Sequence, residues 1–227
     1  MIAITHPIKK MINSQYGFLS SMLDFYPSLM NEWIHKQEVE VRQLAELEAN
    51  GDTDVYLSIL NTEMSRVDSC YDEEQLFNQA MLIMVYSYYE STLLRLAKEI
   101  GTESPRPSIL AANMDATLDD ELLRIAKFLF KSICPLRNQL CHNNSGTLYE
   151  KSNEEEIANI EKLEEKNFIS IDEGKITSID RDFIKKTLDG EYKILIKLAE
   201  ICGFKTNLYG YNNGKFTILS NLESTKR

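Results

Sequence analysis

An all-α fold is predicted for this chain: a helical bundle with a long N-terminal helical arm and a small β-hairpin before the last helix. Three observations carry that prediction. Apolar residues recur at helical spacing nearly throughout the 227 residues. Glycine, proline and Asn-Asn or Asn-Gly pairs fall at the ends of those periodic stretches. Only one short segment, 168–177, reads clearly as two strands around a tight turn.

From the N-terminus, Met11 to Asp24 reads as a first helix interrupted near Pro27. A second runs through Trp33, Ile34, Val41 and Leu44 to Ala49, where Asn50-Gly51 ends it. A short helix over Val55–Val67 follows. A strong helix then starts near Asp72, with Ser69 and Asp72 at capping-box spacing and Asp72-Glu73-Glu74 at the positive end of the dipole. It is apolar around its circumference from Leu76 to Leu96 and stops at Gly101, which marks it as the buried centre of the bundle. Pro105 and Pro107 mark a loop. Thr117 with Asp120 caps a helix through Leu122, Ala126, Leu129 and Ile133, and Pro135 predicts a kink or a fresh turn. Asn143-Asn144-Ser145-Gly146 breaks it. Ser152 with Glu155 caps an acidic helix to Lys166. Phe168–Ile171 and Lys175–Thr177 around Asp172-Glu173-Gly174 form the hairpin. Asp180 starts the last amphipathic helix, closing at Gly203, and a short strand at Phe216–Leu219 fits the tail.

Composition bounds the function. A hydrophobic share of 43% suffices for a real core. The longest clean apolar run, Ala80 to Val85, is far below the roughly 20 residues that span a bilayer. Residues Met1 to Lys10 lack a secretory pattern, so a cytoplasmic protein with no membrane partner is expected. Cys70, Cys134, Cys141 and Cys202 form no CxxC pair and read as reduced, mostly core thiols. Cys141 and His142 lack further ligands at metal-binding spacing, since His6 and His35 lie far off and read as exposed; neither metal nor cofactor is expected. A net charge of −10 argues against tight nonspecific binding to long duplexes. Yet 124–149 holds no acid, and Arg124, Lys127 and Lys131 line one helix face toward the next motif. That stripe is either a solvated face or a short RNA contact.

The motif is Arg137-Asn138-Gln139-Leu140-Cys141-His142. Arginine clamps phosphate through paired hydrogen bonds, and histidine moves protons near neutral pH. At about 100° per residue Asn138 and His142 share a face, while Arg137 stands about 140° from His142. One helix therefore supplies half a site, and two copies across a two-fold axis would bring two arginines and two histidines to one phosphate.

Arg-Asn-x-x-x-His resembles the signature of the HEPN superfamily, all-α proteins many of which are metal-independent ribonucleases of toxin–antitoxin, abortive-infection and CRISPR systems. Tyr86-Ser87-Tyr88-Tyr89-Glu90-Ser91-Thr92 is similar to the aromatic-rich, Glu-bearing helix of many members. The likeness covers 72–203, which divides the chain into an arm (1–70) packing on the bundle, an HEPN-like domain (71–203) and a tail expected to hold a short hairpin (204–227). It implies a homodimeric endoribonuclease in a toxin or phage-defence role, with an antitoxin or other regulatory protein as partner and RNA as substrate. His142 would be general acid/base, with a reference pKa of about 6.5. Arg137 would stabilise the phosphorane charge, and Asn138 would orient the imidazole or bind phosphate. Glu90 has two readings, a supporting role or a plain ion pair with a buried Arg or Lys. The tyrosines beside it are expected in the core. In a branch silenced through a Tyr two residues after the His, that position matters; here it is Asn144. Two other functions fit the same residues: a catalytically inactive HEPN-like module that binds nucleotide, RNA or protein, and an interaction protein that assembles through Ser28–Ala49.

Overall fold

The computed structural model describes residues 2–99, 118–142, 148–204, 206–212 and 215–221. It is all-α, with a two-stranded antiparallel hairpin before the last long helix and a small second sheet made by the chain ends. No helix among the described residues is long and apolar enough to cross a membrane.

Two very long helices dominate. Helix α1 spans Pro7–Ala49 and α2 spans Thr53–Glu99. Between them Asn50 adopts the left-handed conformation (φ 44°) and Gly51 follows at φ +89°, the turn expected there. The break expected near Pro27 is absent, because Pro27 lies buried inside α1. A proline costs a helix interior about 3 kcal/mol. Here Leu19 and Leu23 pack into the main core before it, and Met30 and Ile34 pack against α2 after it, so burial on both sides holds the helix straight through. The separate helices expected at Val55–Val67 and from Asp72 are likewise one. No Gly or Pro interrupts 53–99, and the Ser69–Asp72 spacing also fits neighbours on a continuous helix.

The main core joins the first half of α1 (Ile8, Ile12, Leu19, Leu23) to the second half of α2 (Met81, Leu82, Val85, Leu93, Leu96). A smaller cluster, Met30, Ile34, Val41 and Val67, holds the far halves of the two helices to each other. At the N-terminus His6 is not exposed as expected. It is half-buried, accepts the Ile8 N–H at Nδ1 (3.3 Å) and stacks on Phe204 at 4.3 Å.

Helix α3 (Asp120–Phe128) is capped by Asp119, whose carboxylate accepts the Leu122 N–H; the expected cap, Thr117, lies outside the described residues. A π-helical turn, Leu129–Ile133, leads directly into α4 (Cys134–His142). After the short α5 (Leu148–Lys151), helix α6 (Glu154–Glu165) starts one residue later than expected. Its capping box is Asn153 with Glu156, not Ser152 with Glu155, because the Ser152 hydroxyl serves Gln139. Strands β2 (Ile169–Asp172) and β3 (Lys175–Ile179) form the expected hairpin, with Glu173 and Gly174 both at positive φ. Asp180 caps α7 (Arg181–Ile201), also as expected.

The chain ends meet in a three-stranded sheet: the short hairpin expected in the tail is there, and only its pairing with the N-terminal strand is unforeseen. Strand β1 (Ile2–Thr5) pairs antiparallel with β4 (Thr206–Asn212), which pairs with β5 (Lys215–Asn221). The strand expected at Phe216–Leu219 lies inside β5. Cys134 and Cys202 are free, half-buried and packed against the main core, Cys141 is free and exposed, and the side chain of Cys70 lies outside the described residues.

Helix α7 packs against α1, α2 and α3, and Gly190 sets its approach to α3. A Cβ there would stand 2.9 Å from Ile125 Cγ2. That methyl sits on a β-branched side chain with little χ1 freedom in a helix. Gly190→Ala should therefore cost about 1–3 kcal/mol. In an Ile125→Ala background the same substitution should cost distinctly less, read from a double-mutant cycle by urea unfolding. Equal costs in both backgrounds would show that the two helices are not limited by this contact.

Candidate phosphate site on helices α2 and α4

The motif helix α4 lies against the second half of α2, and the pairing of Arg137 with α2 gives the site its shape. The Arg137 guanidinium is half-buried. Nη2 is ion-paired with Glu90, Nη1 donates to Asn138 Oδ1 at 2.9 Å, and the Cζ lies 5.2 Å from the centre of the Tyr86 ring. Charge pairing, a hydrogen bond and a cation–π contact thus fix one side chain from three directions. A guanidinium has five N–H donors. Nε is buried without a partner among the described residues, so the donors left for a ligand are the remaining Nη hydrogens.

Asn138 is exposed at the same point. With Oδ1 accepting from Arg137, its Nδ2 faces Cys134 Sγ at 3.9 Å, one turn back. Tyr86, Tyr88 and Tyr89 are buried, as expected for the central helix. Burial, then a hydrogen bond with Cys134, pushes the Tyr86 phenol well above its ordinary pKa. The buried Gln139 donates to Ser152 Oγ at 2.5 Å and ties α4 to the start of α6.

The structure brings Arg137, Asn138 and Glu90 together. His142 is the last residue of α4, one turn beyond Asn138, and its side chain lies outside the described residues. The three upstream cations do not join this group. Lys131 is paired with Glu155 at 3.0 Å, and Arg124 Nε donates to the Asp120 carbonyl at 3.2 Å. Lys127 is exposed on α3 and Lys131 sits inside the π-turn, so the straight stripe of an ideal helix is not kept. His35, exposed as expected, is far along α1.

The sequence marks Tyr86 and Cys134 only as core residues and Glu191 not at all. Glu191, on α7, is completely buried and neither carboxyl oxygen has a hydrogen-bond partner among the described residues. Nothing in the sequence marks it, because one acid on an amphipathic helix looks like any solvated one. Burial, and then the charge of Glu90, raises its pKa well above the usual 4.5.

No family model, curated protein or solved structure matches this chain.

A raised carboxyl pKa has a definite sign in stability. Between the unfolded and folded values the folded state keeps a proton that the unfolded chain has released, so stability falls as pH rises. The contribution is fully present below the unfolded pKa of about 4.3 and is lost on approach to the folded one. Glu191→Gln removes that loss. It should melt above the wild type at pH 8, by a few degrees, since about 1 kcal/mol moves Tm by roughly 2–4 °C at this size. The gap should close toward pH 4. Thermal melts that differ by the same amount at every pH would refute a neutral Glu191.

Proposed function

We propose that this chain is a metal-independent endoribonuclease of the HEPN type, acting as a homodimer in the cytoplasm in a toxin or phage-defence role. The observation that carries this reading is the Arg137–Asn138–Glu90 group. The first two motif residues are held side by side at the surface of an all-α bundle, on the helix that ends in His142.

In this mechanism the ribose 2′-oxygen attacks the adjacent phosphorus and loses its proton to His142 acting as base. The bond from phosphorus to the 5′-oxygen breaks, and a second imidazole returns a proton to that leaving oxygen. The products are a 2′,3′-cyclic phosphate and a 5′-hydroxyl. Arg137 stabilises the charge on the phosphorane oxygens, its orientation preset by Glu90 and Tyr86 so that little reorganisation is left for the reaction. Asn138 binds phosphate or orients the imidazole. Two histidines at one phosphate require two copies. Beside Glu90, α2 offers a face for a second copy: Leu76, Met84 and Leu94 are exposed apolar residues with Ala80, Ser87 and Ser91 between them. An antitoxin or regulatory protein would act on the same face or on Arg137.

One observation favours a second reading. The ion pair with Glu90 already satisfies part of the guanidinium, as expected for a silent module that binds RNA, nucleotide or protein without cleaving.

Incubation with a mixed RNA pool in EDTA, followed by end-group analysis, separates the two. Wild type should leave cyclic-phosphate ends. His142→Ala and Arg137→Ala should each lower the rate by about 10²-fold or more. Arg137→Lys should restore little, because a lysine cannot engage Glu90, Asn138 and Tyr86 together. Cleavage that persists in the double variant Arg137→Ala/His142→Ala would defeat the assignment.

A further inference from the structure

Beside the motif helix lies a cavity of about 360 Å³, between the π-turn and the first turns of α6. Phe130 and Asn159 line it, with Cys134, Lys131 and Glu155 on its walls. We infer that this cavity receives one unpaired nucleobase of an RNA strand whose phosphate is held at Arg137 and Asn138, an inference that rests on the function proposed above.

Four observations point this way. The first is placement. Cys134 belongs both to the cavity wall and, through its 3.9 Å contact with Asn138 Nδ2, to the phosphate site one helical turn away. That turn is about 5.4 Å, a distance a single nucleotide bridges. The second is Phe130. Its neighbours Leu129 and Ile133 are fully buried, yet the π-turn leaves Phe130 52% exposed at the cavity. π-turns concentrate at functional sites, and an exposed ring is the platform on which an unpaired base stacks.

The third is the amide of Asn159. It is half-buried, lines the cavity and makes no hydrogen bond among the described residues, so its donor and acceptor are free for a base edge. The fourth is charge. Lys131 is neutralised by Glu155 at 3.0 Å, and Glu156 adds a further carboxylate, engaged at one oxygen with the Asn153 N–H at 3.2 Å. Two carboxylates against one paired ammonium repel a phosphate. They suit a neutral base, and the spare carboxylate lone pairs favour one with an exocyclic amine, such as cytosine, over uracil. A volume near 360 Å³ is at the lower end for small-ligand pockets and is enough for one base.

The test uses uncleavable fluorescent hexamers, 2′-O-methyl oligocytidine and oligouridine, and an abasic hexamer of the same charge, titrated by anisotropy into the full chain. Wild type should bind the cytidine hexamer most tightly and the abasic one least. Phe130→Ala should weaken cytidine binding about 5- to 100-fold and leave abasic binding unchanged, while Phe130→Trp preserves it. Arg137→Ala should weaken all three hexamers together. Equal loss on based and abasic hexamers in Phe130→Ala, or no loss at all, would overturn the base pocket. Equal affinity for cytidine and uridine would overturn the role of the carboxylates. The outcomes also separate this inference from the nuclease reading. Cleavage that depends on Arg137 with Phe130-independent binding would sink only the pocket. Base-dependent binding by a protein that cuts no RNA would keep the pocket and sink the nuclease.

Discussion

The bundle is organised by one constraint: α2 must be buried on nearly every side over its second half. Tyr86, Tyr88 and Tyr89 are consecutive or nearly so, and so are Met81 and Leu82, so their side chains leave the helix in different directions. Each direction needs a cover. Helix α1 supplies one, α7 another, the motif helix α4 a third, and β3 caps the approach through Asn78 and Gln79, which donate to the Ile179 and Ile176 carbonyls. A helix enclosed this way cannot shift without disturbing all its neighbours, because interiors are close-packed. That rigidity is what lets Glu90, on its remaining open side, act as a fixed anchor for Arg137.

The charges behind that anchor form a graded series rather than a set of separate pairs. Arg137 meets Glu90 at the half-buried edge of the bundle, and the fully buried Glu191 feels the charge of Glu90 from α7. Ionising Glu191 would set a second negative charge near that of Glu90, with Glu191 itself completely buried. The cheaper state keeps Glu191 protonated and leaves Glu90 to Arg137. The acid on α7 thus bears on Glu90 through charge, with no hydrogen bond of its own among the described residues.

How much of this was legible in the sequence follows from the range of each interaction. Signals read within a few residues were dependable: the Asn50-Gly51 turn, the Glu173-Gly174 hairpin, the Asp180 cap and the buried tyrosines. Errors came where distant packing outweighed a local preference. Pro27 reads as a break, but core contacts on both sides exceed its cost. Ser69 and Asp72 read as a new start, but the core of α2 continues through them. The pairing of β1 with β4 joins opposite ends of the chain, and no local pattern announces it. At the site, Arg137 and Asn138 stood out by residue type and by the resemblance of Arg-Asn-x-x-x-His to a family signature, and Glu90 only by the resemblance of its aromatic helix. That Glu90 faces Arg137, 47 residues away, depends on how two helices dock. Of the two readings of Glu90, the contact seen is the ion pair, with Arg137 as the partner.

Pro135 shows how a helix-breaking residue shapes the site. It carries no N–H, and in a plain α-helix its ring would press on the carbonyl four residues back, that of Lys131. The chain answers with the π-turn, in which the Cys134 N–H reaches the Leu129 carbonyl, five residues back. One extra residue in a turn rotates everything beyond it by about 100° relative to an unbroken α-helix. That adjustment brings Arg137 round to α2, where Glu90 and Tyr86 hold it. Of the kink or fresh turn expected at Pro135, the second forms, since α4 starts at Cys134 straight out of the π-turn. The residue that would break an ordinary helix sets the phase at which the guanidinium meets α2.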